Sequence, residues 1–367
     1  MRPVDTDGEA LEAWLSQTSE PVLQIEQKII DPHHHLWDRR SPGSYREEPP
    51  THARYIADDL MQDILESGHR VIDTVFVECL AMYQENRGEL ASLGEIEFVQ
   101  GVAATAASGL YGPGTRCCGA IIGFADLTGP EVGRHLDAMM HASRNFRGIR
   151  HAHGWHASPE IPPSHHPTRR IEHLLADEAF RRGFAELVDR ELVFDCWGYH
   201  FQLEEVAELA RAFPQASIVV DHIGGPIARG PYAGLRETRV FEEWQRGLDQ
   251  IASCENIVVK LGGCGMPIYG FGYEHRSQVP PDSNRLAEDW LPYFSRVIEA
   301  FGTARCMFES NFPVDKVSCS YRVLWNAFKR IAETLDLDPK RRDDVFFQTA
   351  ARTYSMNIET ELAGPNG

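Results

Sequence analysis

Two short stretches far apart in the chain carry histidine and carboxylate residues in patterns that suit metal binding or proton transfer. The first is KIIDPHHHLWD, residues 28–38, and the second is CMFESNFPVDK, residues 306–316. Side chains alternate along a strand, so His33 and His35 face one side while His34 faces the other. Two imidazoles on one face can ligate a divalent metal or polarise a carbonyl group. The first stretch therefore predicts part of a site.

Further polar residues lie at or near the ends of other predicted strands. In an eight-stranded barrel the carboxyl ends of the strands meet at one face, where barrel enzymes hold their active sites. We therefore expect these side chains to converge on one bowl. In chain order they are Glu78, Arg150, His151, His153, Tyr199, His200, Asp221, His222, Lys260, Glu309 and Asn311.

The elements that must position these residues alternate between two patterns. Short apolar runs rich in β-branched residues occupy 28–33, 71–78, 119–127, 147–153, 191–197, 217–222, 256–263 and 305–311. Helical patterns fill 56–68, 130–142, 177–190, 202–214, 239–254, 290–302 and 321–335. Strands that alternate with helices indicate an α/β fold, and eight of them predict a (β/α)8 TIM barrel. An open doubly wound sheet is the alternative, but no GxGxxG follows a strand.

The chain divides into an N-terminal helical arm, residues 1–27, and the barrel, residues 28–367. The third strand is ambiguous, because residues 97–107 compete with 119–127 for its place. Two long loops, 35–55 and 262–285, follow the first and seventh strands. Both leave the carboxyl ends of strands, so we expect them to form substrate walls or lids.

Composition excludes several classes of partner. The chain has 36 Lys and Arg against 54 Asp and Glu, a formal charge of −18, which disfavours nucleic acid. No apolar run reaches the roughly 20 residues that span a bilayer. The eight cysteines form no CxxC pair and lie in apolar runs, which indicates reduced, packed thiols. We expect a cytoplasmic protein without a membrane partner, and homo-oligomerisation stays open.

Five segments together resemble a known family. DPHHHLW, RGIRH, DHIGGP, VVKLGG and MFESNFP are similar to motifs of the amidohydrolase-related lactonases and decarboxylases, and the resemblance covers residues 28–357. The pattern resembles most the branch that hydrolyses sugar lactones and 2-pyrone-4,6-dicarboxylate. This resemblance implies a lactonase that acts on a small cyclic ester, either anionic or polyhydroxylated. The wider family also implies an alternative, a metal-dependent non-oxidative decarboxylase of an aromatic acid.

The resemblance also assigns roles to residues. The family's HxH maps to His33 and His35, and its strand-six histidine maps to His222. Its strand-eight aspartate, which deprotonates water and ligates the metal when one is present, maps to Asn311. The implied cofactor is a divalent metal, zinc first, held by His33, His35 and His222. Some of these lactonases resemble hydrolases that work without a metal, so a metal-free site is also consistent with the resemblance.

Asn311 opens the question of which group is the base, because an amide cannot accept a proton from water. Glu309 stands where the family usually has glycine, and residues 309 and 311 share one face of a strand. One interpretation is that the catalytic carboxylate has moved to Glu309. Another is a buried structural ion pair between Glu309 and Lys260. A third places the base at Asp315 or Asp195.

The remaining candidates concern the substrate. Arg150 and Lys260 could bind an anionic group of the substrate, or could balance buried carboxylates. A barrel that has lost catalysis and only binds a ligand is a further alternative, and Asn311 is its best support. The predicted substrate-binding residues are Glu78, Arg150, His151, Tyr199, His200, Lys260 and Asp315.

Overall fold

A computed structural model describes residues 6–39, 52–112, 114–161, 171–276 and 278–356. Its centre is one sheet of eight parallel strands that pair in chain order. Continuous apolar runs form these strands because helices cover the sheet on the outside. The strands are β1 (Lys28–His34), β2 (Arg70–Val77), β3 (Ala120–Gly123), β4 (Phe146–Arg150), β5 (Val193–Cys196), β6 (Ser217–Val220), β7 (Ile257–Leu261) and β8 (Cys306–Phe308).

The residues that follow β8 close the sheet against β1. Asn311 N donates to His33 O at 2.8 Å, and His35 N donates to Phe312 O at 2.8 Å. The eight strands therefore form a nearly closed (β/α)8 barrel, as the sequence predicts. The closure also brings the two stretches that carry histidine and carboxylate residues together.

Helices follow the strands and cover the barrel. Several of them bury one apolar stripe, as α7 does with Trp244, Leu248 and Ile251. The helices are α1 (Thr6–Leu15), α2 (Ala57–Ser67), α3 (Leu93–Ala107), α4 (Val132–Ala142), α5 (Glu178–Val188), α6 (Leu203–Ala212), α7 (Phe241–Ala252), α8 (Ser283–Phe301), α9 (Tyr321–Thr334), α10 (Pro339–Asp343) and α11 (Thr349–Thr353). A two-residue antiparallel pair joins Trp37–Asp38 to Arg54–Tyr55.

The structure settles the ambiguity of the third strand. Residues 120–123 are the strand, and the competing segment lies inside α3. That segment is apolar, but Val99, Val102 and Ala106 are buried at helical spacing. Helix α8 begins earlier than predicted, because the Asp282 side chain caps it by accepting from Arg285 N at 2.8 Å.

All eight cysteines are buried free thiols. No helix in the described ranges is long and apolar enough to cross a membrane. Most of the predicted lid at 35–55 lies outside the described residues, because 40–51 are not among them.

Candidate active site

A fully buried carboxylate, Glu309, lies directly after β8 between two imidazoles. Its Oε1 accepts from His222 Nδ1 at 2.7 Å and from His222 N at 3.0 Å. Its Oε2 lies 2.8 Å from His33 Nδ1. Burial alone would raise the pKa of Glu309, but His222 and His33 together hold it at about 2. Glu309 is therefore ionised at neutral pH and binds histidine rather than lysine.

His35 and His222 each present one unbonded ring nitrogen. His35 Nδ1 lies 2.8 Å from Val77 O, and a carbonyl only accepts, so the proton of neutral His35 is on Nδ1. His222 likewise donates its Nδ1 proton to Glu309. Within the described part of the chain, neither Nε2 has a hydrogen-bond partner. Each Nε2 atom therefore carries a lone pair that can accept a proton or bind a metal.

His33 sits between two cations. Lys260 Nζ lies 3.1 Å from its Nδ1, and Arg150 NH1 lies 3.3 Å from its Nε2. Burial and then the charge of Lys260 lower the pKa of His33 well below its ordinary value. His33 is therefore neutral, and both of its ring nitrogens already have protein neighbours. Its ring lies 4.9 Å from that of His35 and 4.6 Å from that of His222.

Lys260 is fully buried under this cluster and pairs with two aspartates. Its Nζ lies 2.6 Å from Asp195 Oδ2 and 3.0 Å from Asp221 Oδ1. The predicted structural pair of Lys260 with Glu309 is thus replaced by pairs to Asp195 and Asp221. Burial raises the pKa of Asp195 to about 7, and Tyr354 OH donates to its carboxylate at 3.0 Å. The Lys260 ammonium thus contacts buried aspartates, an arrangement in keeping with the second of its two predicted roles, charge balance.

Arg150 is held by Glu78. Its Nε donates to Glu78 Oε1 at 2.7 Å, and its NH2 donates to Glu78 O at 2.6 Å. Most of the guanidinium fork is therefore engaged, and NH1 is the part directed at His33. Arg150 can offer a substrate one donor rather than a two-pronged contact.

Asn311 binds a second buried carboxyl group, that of Asp315. Asn311 Nδ2 donates to Asp315 Oδ1 at 2.8 Å, and Gly265 N donates to Asp315 Oδ2 at 2.8 Å. Burial raises the pKa of Asp315 to about 7. Asn311 Oδ1 accepts no hydrogen bond from any residue in the described ranges, so it remains open to a water molecule.

Two of the predicted substrate-binding histidines pack elsewhere. The ring of His151 lies against Phe124 and Phe180, at 5.3 and 5.6 Å. The nitrogens of His200 face Gly225 O at 3.3 Å and Glu243 of α7 at 3.5 Å. Both histidines therefore contact the layer of helices and loops around the barrel.

Aromatic walls flank the cluster, and sequence reasoning only partly identified them. Trp197 packs edge-on to His222 at 4.8 Å, and Trp37 stacks on His35 at 6.2 Å. Tyr199 lies against Trp197 at 6.0 Å. Tyr354, which bonds Asp195, was missed, because it comes from the C-terminal helices and no motif marks it.

The donor set is compatible with a divalent metal. One ligand atom each from His33, His222 and Glu309 can lie within 4.8 Å of one another. Four buried carboxylates, those of Glu78, Asp195, Asp221 and Glu309, outnumber the two buried cations of the cluster, Arg150 and Lys260. That excess negative charge favours a bound cation. An ion on His33 would displace Arg150 or Lys260 from one of its nitrogens.

Fold and site together define a (β/α)8 enzyme whose strand ends gather histidines and carboxylates. A family model described as amidohydrolase matches residues 30–356, and the chain belongs to that family. An uncharacterised protein, y4mH of Sinorhizobium fredii, is 31% identical, and the match covers 89% of this chain and 98% of the length of y4mH. An L-fucono-1,5-lactonase of Burkholderia multivorans is 25% identical over 65% of this chain and 71% of its own. Family membership and these relatives indicate a hydrolase.

Solved structures share the fold. A Burkholderia multivorans amidohydrolase with bound zinc matches with a TM-score of 0.66 at 22% identity, covering 90% of this chain and all of the other. A 5-carboxyvanillate decarboxylase of Novosphingobium aromaticivorans with manganese matches with a TM-score of 0.56 at 12% identity. The match covers 92% of this chain and 99% of the decarboxylase.

Proposed function

We propose that this protein hydrolyses a lactone or a similar small cyclic ester. The observation that carries the proposal is the Glu309–His222 pair, a buried carboxylate that fixes an imidazole and leaves its Nε2 unbonded. A carboxylate that accepts the Nδ1 proton orients the ring and increases the basicity of the other nitrogen. The lactonase-named relatives support the same reaction class.

In the proposed reaction, His222 Nε2 takes a proton from water while the water oxygen attacks the lactone carbonyl carbon. The tetrahedral centre then collapses, and the bond between the carbonyl carbon and the ring oxygen breaks. His222 returns its proton to the departing ring oxygen, which leaves a hydroxy acid. Glu309 is a positioning residue in this scheme, because it stabilises the charged imidazole and does not itself touch water. Asn311 Oδ1 orients the attacking water.

Charge on the carbonyl oxygen needs a hydrogen-bond donor or a cation. Burial lowers the pKa of His35 well below its ordinary value, so His35 is neutral and its Nε2 cannot donate. Arg150 NH1 lies 3.3 Å from His33 Nε2 and is a donor beside the three histidines. A divalent ion held by His33, His222 and Glu309 would instead supply Lewis acidity and lower the pKa of its water, and His222 would then be a ligand rather than the base. We propose Arg150 as the residue that polarises the substrate carbonyl.

The test is acid release from a panel of γ- and δ-lactones, followed at constant pH. We expect the wild-type protein to open at least one of them and His222→Gln to lose about 100-fold or more in kcat, the contribution of a general base. His141→Gln, which changes an exposed histidine on α4, is the matched control. Wild-type inertness on the whole panel would reject the proposal.

A second candidate is non-oxidative decarboxylation of an aromatic acid. The excess of buried carboxylates that favours a bound cation also suits that metal-dependent chemistry. Release of carbon dioxide from hydroxylated benzoates, abolished by a chelator, would support this candidate over the lactonase. A protein inert in both assays would instead favour the barrel that only binds a ligand.

A further inference from the structure

The interior of the barrel is built in two layers, one apolar and one charged. Side chains two residues apart on a strand point to the same side, so a charged residue that follows an apolar one by two lies next to it along the barrel. Four strands repeat this arrangement. The pairs, on or just after β5 to β8, are Val193 with Asp195, Val219 with Asp221, Val258 with Lys260, and Met307 with Glu309. The charged layer of the active site therefore rests on an apolar floor.

The C-terminal segment packs against this floor. One buried cluster holds the floor residues together with three residues of the segment, Phe347, Ala350 and Tyr354. Tyr354 is fully buried, and its hydroxyl reaches past the apolar layer and donates to the carboxylate of Asp195 at 3.0 Å. A residue from outside the eight strands thus enters the charged layer.

The carboxylate of Asp195 links Tyr354 to Lys260. Within the described part of the chain, this carboxylate accepts from Lys260 Nζ at 2.6 Å and from Tyr354 OH at 3.0 and 3.1 Å. The Lys260 ammonium also lies 5.5 Å from the centre of the Tyr354 ring, a distance that suits a cation–π contact. Tyr354 therefore fixes the carboxylate and, through it, the ammonium group.

Lys260 connects this pair to the groups proposed to react. Its Nζ lies 3.1 Å from Nδ1 of His33, and the same nitrogen of His33 lies 2.8 Å from Glu309 Oε2. The Nζ also lies 3.0 Å from Oδ1 of Asp221, the residue that precedes His222. Because the ammonium is fully buried, its position depends on these few protein partners. Close polar contacts therefore run without a gap from the tyrosine hydroxyl to the carboxylate that orients the base.

We propose that Tyr354 is a positioning residue for the reaction, which acts through Asp195 to hold the Lys260 ammonium in place beneath the histidines. The inference rests on the proposed lactone hydrolysis for the reaction that it affects. Tyr354 does not touch the reacting atoms, so its loss should slow the chemical step and leave KM unchanged. Residues that orient the groups of a site in this way typically contribute about 10–100-fold to activity.

A second triad of the same kind, which lies against α2, supplies a matched control. Tyr55 OH donates to Asp63 at 2.7 Å, and Lys316 Nζ lies 2.7 Å from the same carboxylate. The Lys316 ammonium lies 5.7 Å from the centre of the Tyr55 ring. Tyr55 is almost as buried as Tyr354. Tyr354→Phe and Tyr55→Phe therefore each remove one hydroxyl from a buried triad of tyrosine, aspartate and lysine.

The rate of lactone opening by these two variants tests the proposal. We expect kcat to fall about tenfold in Tyr354→Phe with KM unchanged, and neither constant to change in Tyr55→Phe. Both variants should lower the melting temperature to a similar degree, because each leaves a buried carboxylate with one hydrogen bond fewer. Equal kcat values in the two variants would overturn the proposal and leave Tyr354 with a structural role alone.

A double variant shows whether the effect passes through Asp195. Asp195→Asn weakens the contact with Lys260 directly, so we expect it to lower kcat at least as much as Tyr354→Phe does. The double variant Asp195→Asn/Tyr354→Phe should then be no slower than Asp195→Asn, because both changes act on one connection. Losses that multiply would show that the two residues act independently, and would overturn the proposal.

A measurement that does not depend on lactone hydrolysis separates failure of this proposal from failure of the proposed function. Nitrogen-15 NMR of protein labelled in histidine reports the ring nitrogens of His33, identified by their absence in His33→Gln. We expect their resonances to shift in Tyr354→Phe and to stay in place in Tyr55→Phe, because only the first variant releases Lys260. A shift in a protein that opens no lactone would support the positioning of Lys260 and reject only the reaction. Resonances that do not move in Tyr354→Phe would overturn the proposal, whatever the activity.

Discussion

Glu309 contacts both His33 and His222, so one carboxylate determines the state of two imidazoles. His222 gains a fixed tautomer and a nearby negative charge, while His33 remains neutral between Lys260 and Arg150. Similar residue types thus acquire different chemistry from their neighbours alone. Of these two imidazoles, we expect His222 to exchange a proton with substrate, since His33 lacks a free nitrogen.

Replacing Asn311 by aspartate, the residue type that the related family has at this position, should lower the stability of the protein. In Asn311→Asp the donated hydrogen bond to Asp315 is lost and two carboxyl groups meet in a buried place. We expect a loss of about 1–3 kcal/mol in the free energy of unfolding, measured by denaturant titration. The double variant Asn311→Asp/Asp315→Asn reverses the pair and should recover most of that loss. A stable single variant would show that the amide contact contributes nothing.

The residue pattern predicted the composition of the site better than its connections. Alternation along β1 placed His33 and His35 on one face, and their rings do lie 4.9 Å apart. The pairing of Lys260 with aspartates could not be predicted from the sequence. The register between neighbouring strands determines which charged side chains lie next to each other inside the barrel. Arg150 opposite Asp195 is one such pairing.

At the scale of elements, the loop after β7 supports the site. Gly263 has a φ of 69°, and a Cβ there would lie 2.5 Å from the ring of His222. Tyr269, from the same loop, donates to His222 O at 2.6 Å. This loop therefore fixes both the backbone and the ring of His222.

Gly263→Ala should displace His222. The added methyl group would clash with the imidazole, and alanine is strained at this positive φ. We therefore expect the free energy of unfolding to fall by about 3 kcal/mol and most of the activity to be lost. Gly234→Ala is the control, since Gly234 has a similar φ of 74° with nothing within 4 Å. It should cost about 1 kcal/mol and leave kcat unchanged. Equal effects of the two variants would contradict a role in holding His222.

The periodic patterns predicted all eight strands and most helices, since hydrophobic period and turn chemistry are local. The short helices α10 and α11 were not predicted, and α3 was missed because a helix with apolar residues on several sides resembles a buried strand. The barrel closes through hydrogen bonds of Asn311 and Phe312 to the first strand. These contacts join residues far apart in the sequence, so no local pattern predicts them.

Over the whole molecule, the N-terminal arm connects to the loops at the carboxyl end of the barrel. Trp14 Nε1 donates to Gln278 O at 2.7 Å. Lys316, just beyond Asp315, pairs with Glu12 of α1 and with Asp63 of α2 at 2.7 Å. We propose that the arm is a separate segment that stiffens the β8 loop.

Lys316→Met tests that contact. Lys316 is nearly buried, so its loss leaves Asp63 largely buried without its cation, and we expect a cost of about 2 kcal/mol in unfolding free energy. Glu12→Gln changes a partner that is half exposed and should cost less than about 1 kcal/mol. Thermal unfolding of both variants measures the difference. A larger loss from Glu12→Gln would mean that the arm, rather than Asp63, depends on Lys316.

The most direct test of the central claim is the rate of lactone opening by Glu309→Gln, measured beside the wild type at constant pH. Glutamine has the same shape but cannot stabilise a protonated His222, so we predict that kcat falls about 100-fold or more while the protein remains folded. Near-ultraviolet circular dichroism, which reports the packing of aromatic side chains, would verify the folded state. A folded Glu309→Gln protein that opens lactones at the wild-type rate would contradict the account, and would move the base to Asp315.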